Sequence, residues 1–392
     1  MTAWPLAFGL ILMVALLLSE LAQRTVLSTA VVFLCAGLVL GRGMLDWLHI
    51  DSGADVVEHF AQLSLFTILF VDGAQLELAE LKAAWRLPGR ALLVGMPLTV
   101  GFIALACAAL LQVDWLSALL VGAILSPTDP VLTSAMLDRE AVPKRLRQLL
   151  RIESGLNDGI ALPLVMILLA VIGHEDAGVL RVALEAGLGI ALGVVVPAAF
   201  LWLERRRYLA IAEDHRQLTS VAIACVLFGG ANLLQLNAFL AAFTSGVTVA
   251  TLRPEFAIEL RRLGSPLAES LKLATLLLFG ALIDLRWLFG GGWPGLAFAA
   301  LALLLARPAA LVLAFIGGGL RRREWLAAAW FGPKGFASLL YAIIMLHRNV
   351  PEGDRLFQAI ALVIVLSIVA HSSTDVPVIR VFARSSEQAE NQ

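Results

Sequence analysis

The chain is short of charge, of cysteine and of long polar stretches. Only 15% of its 392 residues are Asp, Glu, Lys or Arg, where a soluble domain carries about 25%. With 60% hydrophobic residues and a mean hydropathy of +0.88, that scarcity excludes an ordinary soluble domain. The formal net charge is -1, so no basic field exists to attract nucleic acid. Cys35, Cys107 and Cys225 each stand inside an apolar run, a spacing that suits neither a zinc site nor a disulfide framework. No loop has room for a nucleotide-binding or regulatory domain. Residues 1–384 therefore read as one transmembrane domain, followed by a short polar tail at 385–392. The first run, Trp4 to Leu21, has no basic residue before it and no small-residue cleavage site after it. It reads as a retained span and not as a signal peptide.

What the chain has is a succession of apolar stretches, each about 20 residues long and so able to cross a bilayer as a helix. Hydropathy predicts an all-α polytopic membrane protein with thirteen spans. They fall at 3–22, 26–46, 58–76, 88–112, 114–137, 149–173, 178–203, 216–234, 236–252, 265–289, 294–318, 323–346 and 356–381. Basic residues alternate between the loops. About 21 of them, including Lys82, Arg145, Arg206, Arg262, Arg322 and Arg384, fall on one side, against Arg42, Arg181, Arg286, Arg348 and Arg355 on the other. The positive-inside rule makes the rich side cytoplasmic. The N-terminus is then outside and the C-terminus inside, which requires an odd number of spans.

A charge in mid-span costs about 2.5–3.5 kcal/mol, so such residues face a pathway or a partner. Span 5 carries Ser126-Pro127-Thr128-Asp129-Pro130. Its two prolines remove backbone donors and break the helix near its centre, with Asp129 in the break. Irregular backbone at membrane depth survives only in protein or beside a cavity. The bland alternative is a plain proline kink with Asp129 bonded to freed amides. Span 6 carries Glu153-Ser154-Gly155-Leu156-Asn157-Asp158-Gly159. Ser154 and Asp158, four apart, share one helical face, and Glu153 and Asn157 share another. Asp158 has no Lys or Arg within a turn, which argues against a locally paired structural carboxylate. Span 12 carries Gly332-Pro333-Lys334-Gly335, a second mid-span break with a charge inside it. A buried Lys needs a partner, and Glu153 is the candidate; otherwise Lys334 is itself a proton carrier.

Breaks at matched positions of two inverted halves point to a transporter site. Spans 1–6 and 8–13 would be such halves, two inverted six-helix repeats with broken crossing helices in spans 5 and 12. Other polar residues are less distinctive. Asp72 in span 3 is either part of an ion path or a solvated carboxylate near a span end. Glu269 and Lys272 have the spacing of a structural i, i+3 pair. Arg307 and His371 are open to either reading, and Asp284 reads as interfacial.

At these residues the chain resembles the monovalent cation–proton antiporters, in the branch of bacterial NhaP proteins and animal sodium–proton exchangers. The resemblance rests on the Ser126–Pro130, Glu153–Gly159 and Gly332–Gly335 segments, with looser fits at Ala241–Gly246 and His371, and it covers essentially the whole chain. It implies a homodimer in the bacterial inner membrane. Spans 1–3 and 7–10 would form a dimerisation scaffold, and spans 4–6 and 11–13 a mobile core. It implies a monovalent-cation and proton site made by Asp158, Ser154, Asp129 and Thr128, with Asp72 in the ion path where many relatives have Glu. It implies that Glu153 pairs with a base on span 12, where many relatives have Arg and this chain has Lys334, with Asn157 in support. The Asn157-Asp158 pair resembles the electroneutral branch. The implied activity is exchange of Na+, or alternatively K+ or Li+, for protons. It involves no enzyme chemistry and no cofactor, and its partners are the lipid bilayer and a second copy of the chain. Two other readings exist: a cation channel on the same scaffold, and an intramembrane aspartyl protease using Asp129 and Asp158. No Gly-x-Gly-Asp element surrounds either residue, and helix breaks have no role in proteolysis.

Overall fold

The computed structural model describes residues 3–17, 29–42, 44–48, 55–76, 85–129, 142–173, 179–204, 211, 215–348 and 350–390. Among these residues all regular structure is helical. The helices are α1 (Ala3–Leu17), α2 (Thr29–Leu40), α3 (Asp55–Gln75), α4 (Arg86–Leu111), α5 (Trp115–Leu125), α6 (Lys144–Ile172), α7 (Val179–Glu204) and α8 (Arg216–Leu233). There follow α9 (Ala238–Leu252), α10 (Pro254–Leu282), α11 (Leu285–Leu288), α12 (Gly292–Ala314), α13 (Arg322–Trp330), α14 (Phe336–Leu346) and α15 (Gly353–Glu390). Among the described residues seven of these, α3, α4, α6, α7, α10, α12 and α15, are long and apolar enough to cross a membrane. Six shorter apolar helices accompany them: α1, α2, α5, α8, α9 and α14.

Two helices are interrupted where the prolines predict it. The helix of span 5 stops at Leu125 and continues as non-helical chain through Asp129. Pro130 and the second half of that predicted span lie outside the described residues. Span 12 is split into α13 and α14 by non-helical Phe331–Gly335. Two further prolines act more gently. α4 holds a π turn at Ala91–Gly95 just before Pro97, and α12 holds one at Ala302–Ala306 just before Pro308. Proline clashes with the carbonyl four residues earlier, and one wider turn relieves that clash without ending the helix.

Small residues set the closest helix contacts. α3 crosses α9 where Gly73 lies against the carbonyl of Phe243 and Gly246 against that of Phe70. α2 crosses α10 in the same manner, with Gly37 against Leu277 and Gly280 against Leu34. Lipid tails are as apolar as leucine, so membrane helices associate through such close backbone packing. The pairing of α3 with α9 matters because it fixes Asp72, beside Gly73, within the interior.

Boundaries differ most from hydropathy at α10 and α15. α10 begins at Pro254 and ends at Leu282, against a predicted span of 265–289. Pro254 sits in the first turn, where a missing N–H leaves no bond unmade. The following residues put Glu255 and Arg262 outward and Phe256, Ala257 and Leu260 inward, a one-sided pattern that a hydropathy average does not see. At its other end the chain turns at Ile283, and Asp284 caps α11 by accepting from the Arg286 amide. α15 runs on to Glu390, past the predicted end at 381 and into the expected polar tail.

Candidate functional site

The two interrupted segments meet. The amide of Asp129 donates to the carbonyl of Pro333 at 2.9 Å, and one Asp129 carboxylate oxygen accepts from the amide of Phe336 at 3.0 Å. Asp129 thus caps the first turn of α14, where unpaired amides and the positive end of the helix dipole favour a carboxylate. In return the Lys334 ammonium donates to the carbonyls of Ser126 (3.2 Å) and Pro127 (3.4 Å), the end of α5. Each break therefore supplies the charge that the other one's helix end attracts.

This exchange requires Gly335. A Cβ there would overlap the carboxylate and Cβ of Asp129. Gly335→Ala should therefore lower thermal stability in detergent by about 1–3 kcal/mol, the usual cost of overpacking. Gly101→Ala, where nothing lies within 4 Å, is the control and should be close to neutral. Equal stability of the two variants would show that the breaks do not touch as described.

The Glu153 carboxylate corrects the expectation from sequence. It is not paired with Lys334. Arg307 of α12 holds it through two parallel bonds, Nη1 to Oε1 at 2.6 Å and Nη2 to Oε2 at 3.0 Å. Arg307 also donates through Nε to the carbonyl of Ala328 at 3.2 Å. A guanidinium matches a carboxylate bidentately in a way that an ammonium does not. Room for it comes from Gly332, since a Cβ there would overlap the Arg307 side chain. Glu153 and Arg307 are both buried, at 5% and 6% exposure.

The polar residues of α6 divide between two interior cavities. Glu153 and Asn157 line one, together with Ser126 and Arg307. Asn157 donates to the Thr128 hydroxyl at 2.6 Å, and Thr128 and Ser154 share a hydroxyl–hydroxyl bond of 3.2 Å. Asp158 faces a second, narrow cavity, lined also by Asp72 of α3, Asp129 and Lys272 of α10. Its Oδ1 is enclosed and accepts no hydrogen bond among the described residues. Tyr341 of α14 donates instead to the backbone carbonyl of Asp158, at 3.0 Å. The structure thus brings Asp158, Asp129 and Asp72 to one space, with Thr128, Ser154 and Asn157 bonded together on the adjoining backbone.

Lys272 is placed differently from its sequence reading, and His371, which the sequence left open, receives a place. Lys272 makes no ion pair with Glu269 within 4.0 Å among the described residues and faces the cavity instead. His371 of α15 braces the second break. Its ring stacks on Trp330, and Nε2 lies 2.9 Å from the Trp330 carbonyl while Nδ1 lies 3.2 Å from the Ser367 hydroxyl. That hydroxyl accepts from the Lys334 amide at 2.7 Å. Ser367 so occupies a donor, the Lys334 amide, and His371 an acceptor, the Trp330 carbonyl, at the missing helical turn.

Enclosed carboxylates beside two crossed helix breaks form a candidate ion site in an all-helical fold whose helices include membrane-length apolar ones. The chain belongs to the transmembrane sodium/hydrogen exchanger family, which it matches over residues 9–381. That is a family of secondary transporters and not of enzymes. It is 26% identical over 381 residues to the K(+)/H(+) antiporter NhaP of Alkalimonas amylolytica, covering 96% of this chain and 66% of that protein. It is 24% identical over 377 residues to the K(+)/H(+) antiporter NhaP2 of Shewanella sp. (strain MR-4), covering 93% and 64%. The chain thus spans just under two thirds of the length of these relatives. Its fold is like that of the sodium proton antiporter MjNhaP1 from Methanocaldococcus jannaschii, with a TM-score of 0.78, 19% identity and coverage of 95% and 97%.

Proposed function

We propose that this chain exchanges a monovalent cation, Na+ or K+, for protons, with Asp158 holding each in turn. The observation that carries the reading is the Asp158 carboxylate oxygen that is enclosed, has no hydrogen-bond donor among the described residues and belongs to a side chain lining a cavity shared with two other aspartates. An ionised carboxylate in that position is unstable alone. A proton neutralises it, and so does a dehydrated cation, but one excludes the other. If the site changes sides only when occupied, one ion's gradient drives the other without ATP or covalent chemistry. Asp129, Ser154 and Thr128 would supply further oxygens once their present hydrogen bonds rearrange around the ion. A single titrating carboxylate and the Asn157-Asp158 pair favour electroneutral exchange. The printed names of the relatives supply the two cations, potassium for the NhaP and NhaP2 proteins and sodium for the MjNhaP1 protein.

The reading extends to architecture. Thirteen spans in two inverted halves would place equivalent helices seven spans apart. In support, the interruptions fall in predicted spans 5 and 12, and the π turns before proline fall in spans 4 and 11. The glycine crossings pair spans 3 and 9, and spans 2 and 10. A scaffold of spans 1–3 and 7–10 would hold Asp72, and a mobile core of spans 4–6 and 11–13 would hold Asp129 and Asp158. A homodimer with its C-terminus in the cytoplasm completes the proposal.

The test is pH-dye transport in proteoliposomes loaded in turn with Na+, K+, Li+ and choline. An outward gradient of Na+ or K+ should drive proton entry, choline should not, and clamping the membrane potential should leave the rate unchanged. Current without obligatory proton movement would instead make the protein a channel.

A further inference from the structure

Lys272 stands outside the proposed ligand set, yet its side chain reaches the same cavity as the three aspartates. It is 7% exposed. No carboxylate lies within 4.0 Å of its ammonium among the described residues. What holds it is an aromatic face: Nζ lies 5.7 Å from the ring centroid of Phe336, within range of a cation–π contact. Phe336 is also the residue whose amide Asp129 caps. The ammonium is therefore poised beside the site without closing on any one carboxylate. A buried cation without a directly bonded counter-charge is costly, and it persists here because a field of opposite sign surrounds it. That field comes from Asp72 on α3, Asp129 in the first break, Asp158 on α6 and Glu269 one turn away on α10.

We propose that Lys272 is a tethered counter-cation of the transport site, balancing the cavity carboxylates when no transported ion is present and so setting the affinity for that ion. The inference rests on the antiport reading above and adds to it what tunes the site. Three aspartates around one narrow space would hold a monovalent cation too tightly for release. One fixed ammonium weakens that attraction without filling the space, because its stem is anchored on α10 and its head rests on Phe336. The transported ion must then be small enough to share the cavity with it. Lys272 is a positioning charge here and not a ligand, so its removal should tighten binding, which loss of a merely structural residue would not do.

The experiment is cation-dependent exchange in proteoliposomes, with KM for Na+ and K+ measured at alkaline pH, where protons no longer compete. Lys272→Gln should lower KM at least ten-fold, the effect of one unit charge about 12 Å away at an effective dielectric of about 20, and by more the nearer the ammonium lies. Lys272→Arg keeps the charge and should keep the wild-type KM. Asp72→Asn removes one negative charge and should raise KM. The Asp72→Asn/Lys272→Gln double variant should bring it back down, so the comparison stands even if Lys272→Gln alone does not fold. An unchanged or higher KM in folded Lys272→Gln would overturn the proposal. So would Lys272→Arg behaving like Lys272→Gln, or a double variant no tighter than Asp72→Asn. Wild-type exchange that Asp158→Asn abolishes would leave the antiport reading standing in those cases. Absence of exchange in the wild type would overturn both.

Discussion

Asp158→Asn should reduce cation-driven proton movement to the level of empty liposomes while leaving a folded, membrane-inserted protein. Asn keeps the shape of Asp but carries neither the exchangeable proton nor the charge that attracts a bare cation. Folding should survive because the side chain makes little of the local structure. Its Oδ1 has no donor among the described residues, and the Tyr341 bond goes to the backbone carbonyl. The substitution should, if anything, stabilise the empty protein, since it removes a buried carboxylate. The measurement is dye-reported transport alongside a detergent melting curve. Wild-type-like exchange in the variant would remove Asp158 as the shared carrier.

Glu153→Gln or Arg307→Met should each destabilise the protein by about 3–5 kcal/mol, because each strands one charge of a buried bidentate pair. The double variant should recover much of that loss. The adjacent Lys334 sharpens the prediction. Its ammonium serves the carbonyls of Ser126 and Pro127, so Glu153→Gln/Lys334→Met should recover nothing, since Arg307 is then left alone. Melting curves of the four variants decide between the two partners. A strictly additive Glu153/Arg307 pair, or recovery with Lys334→Met, would contradict the geometry.

The helices and their interruptions were legible because both follow from local chemistry. Apolar length predicts a span, and Pro127 and Pro333 predict where two of them stop. The i, i+4 spacing put Ser154 on the Asp158 face, whereas Ser154 bonds to Thr128 beside Asn157, and of these three α6 residues only Asp158 lines the cavity of aspartates. The partner of Glu153 was not legible either. Sequence offers two mid-span bases, Arg307 and Lys334, and the choice depends on how α12 and the second break lie against α6. In hindsight Gly332 was a signal, since a residue without a side chain beside Lys334 leaves room for a larger group from elsewhere. Lys272 was misread for a related reason. Its spacing from Glu269 suggested a local pair, whereas its position is set by the packing of α10 on α2 and α3, a tertiary fact with no local trace. Asp72 looked close to a span end, and only the Gly73–Gly246 crossing shows that this stretch of α3 lies inside the bundle.

The central claim is that a single carboxylate gives up a proton when it takes a cation. It is tested most directly by adding Na+ or K+ to purified protein in weakly buffered detergent solution and recording proton release. The account predicts release from the wild type, saturating with cation concentration and absent with choline, and no release from Asp158→Asn. Equal release from both proteins, or saturable cation binding to the wild type with no proton released at any pH, would contradict it.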